Sequence, residues 1–159
     1  LEKRVEIPWA TEPYSEIIPG LWMGGHYRAD RDDQTLGVPV KVTDEFGLVV
    51  SLFQTDLHDC GPDRGIPEIV FRIPDGPLDK CQRRVAQDLA NLIVHALSGN
   101  LKVLVRCQAG YNRSGLVVAY ALMALDFSPI GAVLQVREKR SFWALCNSDF
   151  LDYLEEDDV

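Results

Sequence analysis

Cysteine is scarce in this chain, and the four present, Cys60, Cys81, Cys107 and Cys146, stand far apart with no CxxC pair. That spacing matches neither a zinc site nor a dense secreted disulfide framework, so free thiols in a reducing, cytoplasmic setting are expected. Histidine is scarcer still: His26, His58 and His95 are scattered, which argues against metal ligation and leaves surface or helix-capping roles. Long apolar runs are missing. The longest, Gly115 to Leu125, is about half the ~20 residues that a spanning helix needs, so no membrane partner is expected. No basic-then-apolar leader opens the sequence, so no secretory signal is expected either. Positive charge is in deficit, with 16 Lys and Arg against 24 Asp and Glu and a formal net charge of -8. This disfavours nonspecific attraction to nucleic acid or anionic membrane, though one cleft can still be basic. Repeats, low-complexity tracts and dividing linkers are absent as well. What remains is 159 residues that fit one domain, long enough to bury a core without disulfide staples.

Along that domain, residues 1–19 carry three prolines and several charges and read as an irregular N-terminal arm. Leu21-Trp22-Met23 is a short strand stopped by Gly24-Gly25, and His26 to Gln34 reads as a loop. Leu48 to Phe53 is a continuous apolar run, as in a strand covered on both faces, and Glu68 to Ile73 is another strand. Asp79 to Leu97 has apolar residues at helical spacing (Val85, Leu89, Leu92, Ile93, Ala96) and ends at Ser98-Gly99-Asn100. A strand over Lys102 to Arg106 follows, then helices over Ser114 to Leu125, Pro129 to about Arg137, and Ser148 to Leu154. Strands alternating with helices predict an α/β fold over residues 20–155, with a central, mostly parallel sheet of four to five strands flanked by helices. The acidic tail, residues 156–159, is expected to fray. In such sheets ligands sit beyond the carboxyl ends of the strands, where Cys107 falls.

The segment Val103-Leu104-Val105-Arg106-Cys107-Gln108-Ala109-Gly110-Tyr111-Asn112-Arg113-Ser114-Gly115 carries the chemistry. An apolar strand ends in a cysteine, and a short loop then leads to an arginine and a Ser-Gly pair that open an apolar helix. The peptide N–H groups from Gln108 to Arg113 can curl around one anion, with Gly110 free to take φ > 0. The helix N-terminus points its positive end at the same spot, and Arg113 offers a planar fork for two phosphoryl oxygens. The same field favours the thiolate of Cys107, which makes it a candidate nucleophile. A buried strand-end cysteine before an ordinary turn would leave the Gly, the Arg and the Ser-Gly unexplained together.

This segment resembles the HCxxGxxRS signature of cysteine-dependent protein tyrosine phosphatases, and its Cys-Gln-Ala-Gly-Tyr-Asn-Arg-Ser-Gly form is most similar to the small dual-specificity phosphatases. Ile17-Ile18-Pro19-Gly20-Leu21-Trp22-Met23-Gly24 resembles that family's opening strand. Val136-Arg137 with Arg140, Asn147, Phe150 and Leu154 resembles its closing segment. One departure lies inside the motif: Arg106 stands where the family has a histidine that orients the thiolate. The resemblance implies a phosphomonoester hydrolase acting through a cysteinyl-phosphate on phosphotyrosine and phosphoserine or phosphothreonine in proteins. It implies no cofactor, no metal and no nucleic-acid partner, and a monomer is expected. A weakly active phosphate-binding module, or a phosphatase of phospholipids or RNA ends, is the alternative.

The resemblance also assigns roles. Cys107 is the nucleophile, Arg113 holds phosphate, and Gln108, Ala109, Gly110, Tyr111 and Asn112 form the substrate loop. Ser114 either caps the helix or hydrogen-bonds Cys107 and eases its departure. Asp75, on the Gly/Pro-rich loop Pro74-Asp75-Gly76-Pro77, is the general acid that protonates the leaving oxygen. Asp79 is its rival, with helix capping as its other reading. Asn147 is expected to brace the phosphate loop, Arg137 and Arg140 to lie on a solvated helix face or else to receive a second anionic group, and Cys60 to stand as a candidate disulfide partner of Cys107.

Overall fold

The computed structural model describes residues 7–43 and 45–158. Their elements run β1 Tyr14–Ile18, β2 Leu21–Gly25, β3 Tyr27–Ala29, β4 Gly37–Pro39, β5 Leu48–Ser51, β6 Glu68–Val70, α1 Lys80–Ser98, β7 Val103–Cys107, α2 Arg113–Ala124, α3 Pro129–Lys139 and α4 Ser148–Glu156. A five-stranded sheet has the order β1-β2-β7-β5-β6. β2, β7, β5 and β6 are parallel, and β1 joins the edge antiparallel. The fold is therefore α/β, with a mostly parallel sheet flanked by helices.

Two segments read as irregular are strands. Tyr14–Ile18 forms β1, with Ile17 buried in the core; Pro13 and Pro19 bound this strand without interrupting its ladder. The remainder of the arm, residues 1–6, lies outside the described residues. Within the stretch His26 to Gln34, Tyr27–Ala29 pairs with Gly37–Pro39 as a separate hairpin.

Strand alternation decides which side chains of β7 meet the helices. Val103, Val105 and Cys107 join the large core with Leu116 and Val118. Leu104 packs on the other face with Val49, Val42 and Phe46. Arg106 shares that second face, so its position beside Cys107 in sequence places it on the opposite side of the sheet. Helix α2 is buried from Ser114 to Leu122. A helix apolar all round belongs in an interior, and α2 contacts α1, α3 and α4.

Helix ends fix two further points. Asp79 is the N-cap of α1: its carboxylate accepts from the Gln82 N–H at 2.7 Å, and the Gln82 side chain accepts from the Asp79 N–H at 3.0 Å. At the other end of the chain, the tail does not fray at once. Asp157 accepts from the Tyr120 hydroxyl and from Arg83, and Arg83 also reaches Glu156 at 3.1 Å. Among the described residues no helix is long and apolar enough to cross a membrane.

Candidate active site

The chain leaves β7 at Cys107 and enters α2 at Arg113, and the carbonyls between them turn outward one after another. That of Cys107 accepts from the His26 N–H at 2.8 Å and lies 2.9 Å from the His26 Nδ1. That of Gln108 accepts from the N–H groups of His26 and Tyr27 at 3.0 and 3.2 Å. Those of Ala109 and Gly110 accept from Arg140, and that of Tyr111 from the Leu145 N–H. In a trans peptide unit the N–H points opposite to the C=O. A loop with its carbonyls outside therefore carries N–H groups on its inner side, as an anion cup requires. Gly110 sits at φ +75, and a Cβ there would stand 2.5 Å from the Gly24 carbonyl carbon and 2.6 Å from Arg140 Nη2. Only glycine fits that close approach.

Inside the cup, the Cys107 Sγ is buried and lies 3.3 Å from the Ser114 Oγ. Arg113, the first residue of α2, lays its guanidinium over the Phe53 ring at 5.4 Å and donates through Nη1 to the Ile73 carbonyl at 3.4 Å. Its Nε–H is buried and finds no acceptor among the described residues. A buried donor left unpaired costs about 1–3 kcal/mol, so this group is poised for an anion. Asp75, exposed on the loop after β6, accepts from Asn147 Nδ2 at 2.8 Å and from Asn112 Nδ2 at 3.1 Å. Asp75, Cys107, Ala109, Tyr111, Asn112 and Arg113 line one pocket of about 190 Å³. A larger depression of about 550 Å³ lies between α3 and α4, away from the sulfur. Gln108 is exposed at the loop edge. The structure thus gathers Cys107, Arg113, Ser114 and Asp75, and leaves Asp79 on its cap.

Several residues behave differently from their sequence reading. Arg140 is buried: Nε donates to the Gly110 carbonyl at 3.1 Å, Nη2 to Ala109 at 3.3 Å and Nη1 to Glu12 at 2.8 Å. Burial pulls its pKa down to about 10, so it stays charged at neutral pH. Arg137 donates to the Ala144 and Leu145 carbonyls, so neither arginine is merely solvated. Asn147 caps α4 and grips Asp75; its contact with the phosphate loop is its own N–H donating to Asn112 Oδ1 at 3.1 Å. His26 is buried, not on the surface. Burial and the Arg106 charge lower its pKa to about 4, so at neutral pH the ring is uncharged and its Nδ1–H donates to the Cys107 carbonyl. Arg106 spends its donors on Ser51, Cys60, Gly61 and Glu68. Cys60 is a free, buried thiol that donates to the His26 carbonyl, and burial pushes its pKa up.

No family model matches this sequence, and no curated protein matches it. Solved structures do. Human DUSP28 superposes with a TM-score of 0.68 at 17% identity, over 96% of this chain and 97% of that one. Human tyrosine phosphatase-like serine/threonine/tyrosine-interacting protein gives 0.63 at 24%, over 90% and 93%. Tk-PTP in its active form gives 0.58 at 27%, over 70% and 78%. The fold is that of the cysteine-dependent phosphatase superfamily. Within this phosphatase fold, Arg140 was visible to sequence reading only as part of a resemblance, and its partners were not. His26 had no local signal beyond following Gly24-Gly25.

Proposed function

We propose that this chain is a phosphomonoester hydrolase that works through a cysteinyl-phosphate, with phosphotyrosine and phosphoserine or phosphothreonine in proteins as its substrates. One observation carries the reading. The Cys107 sulfur, 3.3 Å from Ser114 Oγ, shares a pocket with Arg113, whose buried Nε–H has no acceptor among the described residues. The superfamily fold supports a cysteine-based mechanism.

The thiolate of Cys107 attacks phosphorus in line while Arg113 and the inward N–H groups hold the equatorial oxygens. As the P–O bond breaks, Asp75 gives its proton to the leaving oxygen. Both Asp75 oxygens accept side-chain amides, so one of these bonds must open for the carboxyl to meet the ester oxygen. Water then attacks the cysteinyl-phosphate and passes its proton to the Asp75 carboxylate. The sulfur leaves as a thiolate, and the Ser114 hydroxyl donates to it.

The test is turnover of p-nitrophenyl phosphate, inhibited by vanadate and indifferent to chelator. Cys107→Ser should abolish turnover and still bind phosphate. Full activity in that variant would falsify the scheme. Binding without turnover in the unaltered protein would make it a phosphate-binding module instead.

A further inference from the structure

One wall of the pocket does not come from the phosphate loop. Ile7, Pro8 and Trp9 line it together with Asp75, Cys107 and Arg113. Backbone and side-chain bonds fasten this segment to the site. The Tyr111 hydroxyl donates to the Pro8 carbonyl at 2.6 Å, and the Ala29 N–H to Ala10 at 2.8 Å. Arg140 Nη1 reaches Glu12, so the arginine that holds the cup also holds the segment leading to the wall. The Trp9 indole leans on the Tyr27 ring at 5.7 Å between centroids. It sits so close to Gly37 that a Cβ there would stand 2.7 Å from the ring. The wall is therefore fixed, and it is apolar.

A phosphate seated in the cup sends its ester group past this wall. For phosphoserine or phosphothreonine, that group is a short aliphatic stub, and the polar peptide backbone follows at once. For phosphotyrosine, a flat apolar ring occupies the intervening depth, where it can cover Trp9 and Ile7. Aromatic pairs gain from offset or edge contact beyond the area they bury. We propose that the Ile7–Trp9 segment is a specificity wall that favours aryl phosphates, phosphotyrosine among protein substrates, over alkyl phosphates. This rests on the phosphatase reading above and narrows its substrate class.

The experiment compares kcat/KM on two peptides identical except for phosphotyrosine or phosphothreonine, in the unaltered protein and in Trp9→Ala, Trp9→Leu and Ile7→Ala. Leaving groups differ between the esters, so the readout is the change in their ratio on mutation, where intrinsic reactivity cancels. Both tryptophan variants should lower the tyrosine-to-threonine ratio about three- to tenfold. The loss should appear in KM for the aryl ester, because the contact is made equally before and during bond breaking. Trp9→Leu fills much of the space and guards against misfolding, which melting temperature checks. A ratio unchanged in all three variants overturns the wall. If the unaltered protein hydrolyses neither peptide nor p-nitrophenyl phosphate, the phosphatase reading fails separately. Calorimetric titration with phenyl phosphate and ethyl phosphate then decides the wall: tighter phenyl phosphate binding that Trp9→Leu removes supports it, and equal affinities overturn it.

Discussion

Cys107 and Asp75 line the same pocket, yet the chain secures them differently. Around Cys107, the carbonyls from residue 107 to residue 111 are tied to donors on His26, Tyr27 of β3, Arg140 and the turn before α4. The sulfur is buried, and so is the arginine behind the loop. Asp75 is exposed and rests on two side-chain amides from Asn112 and Asn147. Hydrogen bonds of that kind contribute about 0.5–1.5 kcal/mol and exchange readily with water. The half that holds the proposed nucleophile is thus part of the core, and altering it should cost stability along with rate. The half that holds the proposed acid hangs from the core by replaceable contacts, and altering it should cost rate alone.

Arg140→Ala attacks the first half hardest. It strips donors from the buried carbonyls of Gly110 and Ala109 and from Glu12. A buried carbonyl left without its donor costs about 1–3 kcal/mol, so this change should destabilise the protein by about 2–4 kcal/mol and lower turnover as well. Urea unfolding measures it. Arg140→Lys should recover less than half, because a single ammonium cannot reproduce the planar fork. A loss below about 1 kcal/mol in Arg140→Ala would show that the cup holds itself.

Asp75→Asn attacks the second half. Hydrolysis of esters with poor leaving groups should slow by roughly 10²–10⁴, with unfolding unchanged within about 0.5 kcal/mol. Asp79→Asn is the control. Asparagine caps a helix about as well as aspartate, so that change should leave rate and stability nearly untouched. If Asp79→Asn is instead the damaging one for rate, the acid has been assigned to the wrong carboxylate.

The contrast also explains what could be read from the sequence. Val103 to Gly115 shows a strand, a loop and a helix start through local pattern alone, and Cys107, Arg113 and Ser114 follow from it. Helix α1 announces itself by spacing, and Asp79 sits where a cap is due. Arg140 and His26 were illegible for a shared reason. Each serves backbone carbonyls of a loop distant in sequence, and nothing local says which carbonyls need a donor. The resemblance offers Asn147 as a brace for the phosphate loop but not as a partner of Asp75, which lies 72 residues away. Tyr14–Ile18 looked irregular because its flanking prolines stand just outside a strand whose ladder they leave intact.

His26 gives the nucleophile half a pH signature. An unfolded histidine takes a proton near pH 6.5, whereas the buried His26 does so near pH 4. Between those values the unfolded state binds more protons, so stability falls as pH drops through that window. Between pH 7 and pH 5 the loss from this group reaches about 2 kcal/mol. His26→Phe fills a similar volume without titrating, so it should lack this part of the slope in urea unfolding at the two pH values. Equal slopes in the two proteins would mean that the imidazole is not held neutral.

The smallest expected effect draws the sharpest line between the halves. Asn147 does two jobs through different atoms: Oδ1 caps α4 by accepting from the N–H groups of Asp149 and Phe150, and Nδ2 donates to Asp75. Alanine would remove both and confuse a lost cap, worth about 1 kcal/mol, with a loosened acid. Serine separates them, since its hydroxyl caps well but is too short to replace the amide bond to Asp75. Asn147→Ser should therefore unfold like the unaltered protein within about 0.5 kcal/mol. It should slow hydrolysis of alkyl phosphates up to about tenfold, the worth of roughly one hydrogen bond. With p-nitrophenyl phosphate, whose leaving group needs little help from an acid, the rate should hardly move. Equal slowing on both substrates would mean that the Asn147 side chain acts on the cup and not on the acid, and the two halves would then be one.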